Sequence, residues 1–162
     1  MGNGQSGRIR VGDEAPGFEL PSQSGEPVRL RDLTGEKAVV LYFYPRDGTP
    51  GCTAEACSFR DEYEAFVEAG AEVVGVSSDS AESHGRFAAR NALPFTLLSD
   101  EDGKVRKLYG VPSTLGLFPG RVTYVIDRGS TVRHVFSSLL GATRHVEEAL
   151  AVVRSLNRET PG

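Results

Sequence analysis

Cys52 and Cys57 are the two cysteines of this 162-residue chain, five positions apart. A cysteine attacks only as thiolate, and a free thiol with a pKa near about 8.5 is mostly protonated at neutral pH. A helix N-terminus favours the anion through its unpaired backbone N–H groups and the positive end of its dipole. The segment Pro45-Arg46-Asp47-Gly48-Thr49-Pro50-Gly51-Cys52 follows an apolar run and leads into a helical pattern. Pro50 and Gly51 suit the turn and shield the sulfur. Thr49 brings a hydroxyl to the sulfur or to an oxygen bound there, or serves only as a turn residue or cap.

What the pair does is narrowed by elimination. A zinc site would have to recruit His84, His134 or His145, and none lies at finger-like spacing from the cysteines. A structural disulfide between them would close a loop too short to constrain much of the unfolded chain. No histidine is close in sequence to Cys52, which sets it apart from Cys–His acyl transfer. An inert buried thiol is the plain alternative; redox chemistry accounts better for the pair. If the substrate is a peroxide, charge leaves sulfur and builds on the departing oxygen, and donors aimed at that oxygen lower the barrier. A dithiol reductase would use Cys-x-x-Cys, whereas four residues intervene here. A redox sensor or thiol-exchange protein, which reports oxidation to a partner without turning over peroxide, would use the same residues.

The elements that must position Cys52 are legible on either side. Ala38-Val39-Val40-Leu41-Tyr42-Phe43 is a continuous β-branched and aromatic run, the pattern of a central strand buried on both faces, ending at Pro45. Tyr42 and Phe43 read as core, with a pocket-lining role as the alternative. From Thr53, residues Phe59, Tyr63, Phe66 and Val67 make one apolar helical face that Gly70 ends. Glu55 on the first turn reads as capping-box support, and Arg60 and Asp61 as a local ion pair. A strand over Glu72 to Ser77 and a helix over Ser80 to Asn91, capped by Ser80, follow. Then come a short strand at Thr96 to Leu98, a helix at Asp102 to Tyr109, and strands at Arg121 to Asp127 and Thr131 to Ser137. Arg128-Gly129-Ser130 should close those last two as an antiparallel hairpin. Val146, Ala149, Leu150, Val153 and Leu156 form the stripe of a closing helix, with fraying from Asn157. The three histidines are expected on exposed or half-exposed faces with no role.

This order predicts an α/β fold, a central mixed sheet with helices on both faces, as in the thioredoxin-like fold. One domain over residues 11–157 is expected, between a flexible leader (1–10) and a frayed end (158–162). The formal net charge of -4, with 18 Lys and Arg scattered along the chain, argues against nucleic-acid binding. No run reaches the roughly 18 apolar residues of a membrane span, and the first 30 residues lack a signal-peptide apolar run, so a cytoplasmic address is the expectation. Gly2 and Ser6 meet the loose myristoylation pattern, against the plainer reading of a Gly-rich leader.

Pro45, Thr49 and Cys52 match the Pro-x-x-x-Thr-x-x-Cys signature of peroxiredoxins. The longer Thr-Pro-Gly-Cys-Thr-x-Glu-x-Cys pattern over Thr49 to Cys57 resembles the peroxiredoxin Q group, also called bacterioferritin comigratory proteins. So do Phe59-Arg60-Asp61 and the Pro119 to Asp127 segment, and the likeness spans roughly Val11 to Leu156. The resemblance implies that Cys52 is the peroxidatic cysteine, that Thr49 hydrogen-bonds the peroxide and that Pro45 shields the pocket. It implies that Arg121, on residue type alone as readily a surface charge, stabilises the thiolate and orients substrate. Cys57 then matches the resolving cysteine, pairing with Cys52 in an intramolecular disulfide. It further implies hydrogen peroxide or organic hydroperoxides as substrate, thioredoxin or a similar dithiol as reductant, no metal, haem or flavin, and a monomer. Gly48 departs from the group, which more often has a larger polar residue there.

Overall fold

The computed structural model describes residues 9–111, 113–114, 118–119, 121–137 and 142–159. The elements run β1 (Glu19–Pro21), β2 (Pro27–Arg29), α1 (Leu30–Leu33), β3 (Ala38–Phe43), α2 (Pro50–Glu68), β4 (Ala71–Ser77) and α3 (Ala81–Asn91). They continue with β5 (Thr96–Ser99), α4 (Lys104–Tyr109), β6 (Ser113–Thr114), β7 (Phe118–Pro119), β8 (Val122–Ile126), β9 (Val132–Ser137) and α5 (Ala142–Glu159). Five strands form the main sheet in the order β5-β4-β3-β8-β9. β3 runs parallel to β4, and β4 to β5, while β8 is antiparallel to both β3 and β9. This is the expected mixed sheet and the expected β8–β9 hairpin. β1–β2 and β6–β7 are separate two-stranded sheets.

β3 is buried along its whole length, because its alternating side chains feed two cores. Val40 and Tyr42 join Phe59 and Phe66 of α2, Phe87 of α3 and the Val146, Ala149, Leu150, Val153 and Leu156 stripe of α5. Val39, Leu41 and Phe43 join Leu20, Leu30, Val105, Tyr109 and Tyr124 on the other face. Both Tyr42 and Phe43 are therefore core residues. With helices on both faces of a mixed sheet, the fold is thioredoxin-like, and no described helix is long and apolar enough to cross a membrane.

The boundaries differ from expectation in places that have physical causes. α2 starts at Pro50, not Thr53, since proline suits the first helical position, where no N–H bond is lost. Ser80 caps α3 by accepting from Ser83 N–H at 3.1 Å, as expected. α5 stays helical to Glu159 instead of fraying from Asn157, and Arg133 of β9 holds Glu159 at 2.7 Å. At the other end Ile9, within the expected leader, donates its N–H to the Tyr109 carbonyl and packs on the core. Residues 1–8 and 160–162, and with them Gly2 and Ser6, lie outside the described residues.

Candidate active site

The sheet register brings the distant parts of the site together. Phe43, the last residue of β3, pairs with Val122, the first of β8. Arg121 therefore stands beside the loop from Tyr44 to Thr49 that links β3 to α2, although 69 residues separate it from Cys52. The first helical bond of α2 runs from Thr53 N–H to the Thr49 carbonyl, which leaves the amides of Gly51 and Cys52 ahead of the ladder. Cys52 is thus in the first turn, and it is 1% exposed. Arg121, itself buried, donates from Nη2 toward Cys52 Sγ at 3.6 Å.

Gly51 makes that approach possible. A Cβ there would lie 3.0 Å from Arg121 Nη2. Gly48 has φ of +82°, a left-handed conformation that glycine adopts without strain. The departure from the family pattern at this position therefore suits the loop.

Glu55 corrects the sequence reading. It does not cap the helix; it is fully buried and forms an ion pair with Nη1 of Arg121. Burial pushes its carboxyl up to about 7, against the opposing pull of Arg121. Burial works against the charge of Arg121, but Glu55 and then Cys52 outweigh it and hold its pKa above the ordinary value. The guanidinium therefore keeps its charge and divides it between a carboxyl and the sulfur.

Two histidines also depart from expectation. His145 of α5 is fully buried, with Nδ1 at 2.6 Å from Thr123 Oγ1 and 3.7 Å from Glu55 Oε2. His84 of α3 is fully buried as well, with Nδ1 2.8 Å from Asp47 Oδ2. Only His134 is half-buried, 3.4 Å from Glu148. Sequence reasoning missed these groups because it treated charged and imidazole residues as outward-facing. The signal was present: Glu55 precedes Phe59 by four and Phe66 by eleven on one helical stripe, and His84 shares a stripe with Phe87 and Ala88.

The remaining sequence-predicted residues surround the sulfur less directly. Pro45 is half-buried at the start of the loop. Thr49 occupies the N-cap position without a side-chain cap bond, and its hydroxyl donates to the Arg46 carbonyl at 3.1 Å. Its oxygen lone pairs are still able to accept a hydrogen bond. Cys57 is a free, half-buried thiol two turns into α2, 3.7 Å from Asn91 Oδ1. Arg60 pairs with Asp61 as expected, at 3.0 Å, and also donates to the Asn91 carbonyl. Asp47, Asp79 and His84 bring three ligand-type atoms within 4.8 Å of one another. Both nitrogens of His84 and both oxygens of Asp47 already make hydrogen bonds, so the cluster is a hydrogen-bonded joint.

The buried thiol that faces a guanidinium at a helix start is the cysteine of the Pro45, Thr49 and Cys52 pattern, and the AhpC/TSA family model matches residues 11–135. The chain belongs to the AhpC/TSA family. Within it the protein is a peroxiredoxin of the Q group. The chloroplastic peroxiredoxin Q of Sedum lineare is 53% identical over 150 residues, 92% of this chain and 80% of that one. Peroxidoxin BcpB from Mycobacterium tuberculosis superposes with a TM-score of 0.87 at 41% identity, covering 92% of this chain and 99% of the other. The bacterioferritin comigratory protein of Xanthomonas campestris, studied for alkyl peroxide reduction, gives 0.80 at 29% identity over 86% and 91% of the two chains. This peroxiredoxin is accordingly a thiol peroxidase, an oxidoreductase that consumes peroxide at the expense of a thiol reductant.

Proposed function

We propose that the Cys52 thiolate attacks the terminal oxygen of hydrogen peroxide or an organic hydroperoxide. The O–O bond breaks, sulfur is oxidised to the sulfenate, and water or an alcohol leaves after taking up a proton. The observation that carries this reading is the Arg121 guanidinium 3.6 Å from a buried sulfur in the first turn of a helix. In this reading Arg121 stabilises the thiolate and then the oxygen that gains charge, Thr49 accepts a hydrogen bond from the peroxide, and Pro45 keeps water from the sulfur. The inclusion of alkyl hydroperoxides is supported by the reduction named for the Xanthomonas relative.

Cys57 completes the cycle by attacking the sulfenic acid, expelling water and forming a Cys52–Cys57 disulfide that thioredoxin or a similar dithiol reduces. Both residues belong to α2, which is continuous from Pro50 to Glu68. At about 1.5 Å rise and 100° per residue, their Cα atoms stand roughly 8 to 9 Å apart on different faces. A disulfide tolerates about 7 Å. The first turns must therefore unwind when the bond forms. We carry a monomeric state and a cytoplasmic location with this proposal, to be checked by light scattering and by imaging in cells.

Peroxide consumption coupled to thioredoxin and its reductase tests the reading, and a chain that becomes oxidised once without turnover would be a redox sensor instead. Hydrogen exchange should find the amides from Thr53 to Phe59 protected when reduced and fast when oxidised, with the sheet unchanged. Cys57→Ser should still form Cys52 sulfenic acid in a single turnover, lose recycling by thioredoxin and drift to overoxidation.

A further inference from the structure

The loop that carries Pro45 and Thr49 is anchored at its middle residue. Asp47 accepts from Tyr44 Oη at 2.6 Å on Oδ1, and from Ser83 Oγ at 2.8 Å on Oδ2. His84 Nδ1 reaches the same Oδ2 at 2.8 Å, and the Asp47 N–H donates to Asp79 Oδ2 at 2.7 Å. Asp79 is in turn fixed by Ser77 Oγ at 2.6 Å. Burial raises the Asp47 pKa, but bonds from His84, Tyr44 and Ser83 outweigh it and leave the carboxyl below its ordinary value. The loop carboxylate is held by Tyr44 just after β3 and by the adjacent Ser83 and His84 of α3.

His84 is the rigid member of this set. Its Nε2 faces the carbonyl of Leu98, in β5, at 2.9 Å, and its Nδ1 faces Asp47, with Tyr44 Oη farther off at 3.4 Å. A carbonyl and a carboxylate flank the ring, one at each nitrogen, so both ring nitrogens are engaged. The ring is wholly buried and pinned from two sides, which fixes the Asp47 carboxylate relative to the sheet. Among the described residues, Thr49, two residues further on, is tied to its own neighbourhood, by Arg46 and by Thr53 of α2. When the start of α2 unwinds, the Thr53 bond is lost and the Asp47 anchor is what keeps the loop on the sheet.

We infer that His84 is a positioning residue for the peroxide step, holding the loop that presents Thr49 and Pro45 through its bond to Asp47. The inference rests on the peroxidase reading, and it concerns where substrate oxygen is placed, not whether the sulfur ionises. It therefore separates two reactions of one thiolate. Reaction with a peroxide needs the loop, while alkylation by iodoacetamide needs only the anion and access to it.

The test compares the peroxide rate of Cys52 with its iodoacetamide rate in wild type, His84→Gln and Asp47→Asn, each on a Cys57→Ser background that leaves one thiol. The expected result is a fall in the peroxide-to-alkylation ratio of roughly tenfold or more in both variants, as for an ångström-scale misplacement. A merely structural role would lower the urea midpoint and leave the ratio unchanged; that outcome overturns the inference. If His84→Gln does not fold, Asp47→Asn decides alone, and loss of fold in both would assign the pair to stability and overturn the inference too. A wild-type chain whose peroxide rate is no faster than that of free cysteine would refute the peroxidase reading itself, and this inference with it.

Discussion

Cys52 and Cys57 share one helix but occupy opposite settings. Cys52 is 1% exposed, in the first turn, with a guanidinium 3.6 Å from its sulfur and an ion-paired Glu55 and a buried His145 behind that guanidinium. Cys57 is half-buried, and its thiol points toward the side-chain oxygen of Asn91. The first cysteine sits beside a guanidinium just before β8 that is itself paired with a carboxyl of α2. The second meets the end of another helix at Asn91 and lies near the guanidinium of Arg60. A thiol that must attack peroxide benefits from rigid preorganised charge, whereas one that must travel to its partner benefits from weak attachments.

The largest effect that sharpens this contrast is expected from Cys52→Ser, which should abolish peroxide reduction with any thiol donor, because a serine hydroxyl stays un-ionised near neutral pH. Stopped-flow peroxide consumption measures it, and retained activity would end the assignment. Next, Arg121→Met should slow the peroxide step about a hundredfold, the loss typical of one oxyanion contact. Alkylation rate against pH separates its effect on the thiolate from its effect on the departing oxygen. An unchanged peroxide rate would make the two cysteine settings equivalent in function.

A smaller effect concerns stability. The folded Glu55 carboxyl is raised from 4.5 to about 7, so between those values the folded chain keeps a proton that the unfolded chain has released. The stabilisation is fully present below the unfolded pKa and is lost as pH rises through the folded one. On the order of 3 kcal/mol should disappear across that window. Urea unfolding at several pH values should show the decline in wild type and a flatter profile in Glu55→Gln. The smallest effect is expected from Gly51→Ala, whose Cβ would meet Arg121 Nη2 at 3.0 Å. The guanidinium, pinned by Glu55, must yield by a few tenths of an ångström, and peroxide reduction should fall several-fold while Cys57 alkylation is unchanged.

How far the sequence reveals this site depends on which residues are local to it. The run Ala38 to Phe43 and the helical stripe containing Phe59 and Phe66 are visible as patterns, because burial on a strand or helix imposes a period. The Cys52 turn is visible because Pro50 and Gly51 mark it. Arg121 is not, since its approach to the sulfur depends on the Phe43 to Val122 pairing between strands far apart in the chain. Without the family resemblance it would read as a charge at a strand end. Glu55, His84 and His145 escape for another reason. Pattern reading assigns such residues to the solvent side, and only a partner contributed by a distant element makes their burial affordable.

Phe59 has one more consequence. It is fully buried against Tyr42, with ring centroids 4.5 Å apart, and Phe66 follows it into the same core. In the proposed cycle, fraying of α2 from its start has to release the buried Glu55 and Ala56 and then meets a stop at Phe59. The six residues from Thr53 to Ser58 become a tether whose length that one ring determines. Fully extended, such a segment spans about 20 Å, against the roughly 8 to 9 Å between the two Cα atoms in the wound helix. A stop placed one turn earlier would leave Cys57 still wound, and one placed later would release chain that has to be gathered up again at every reduction.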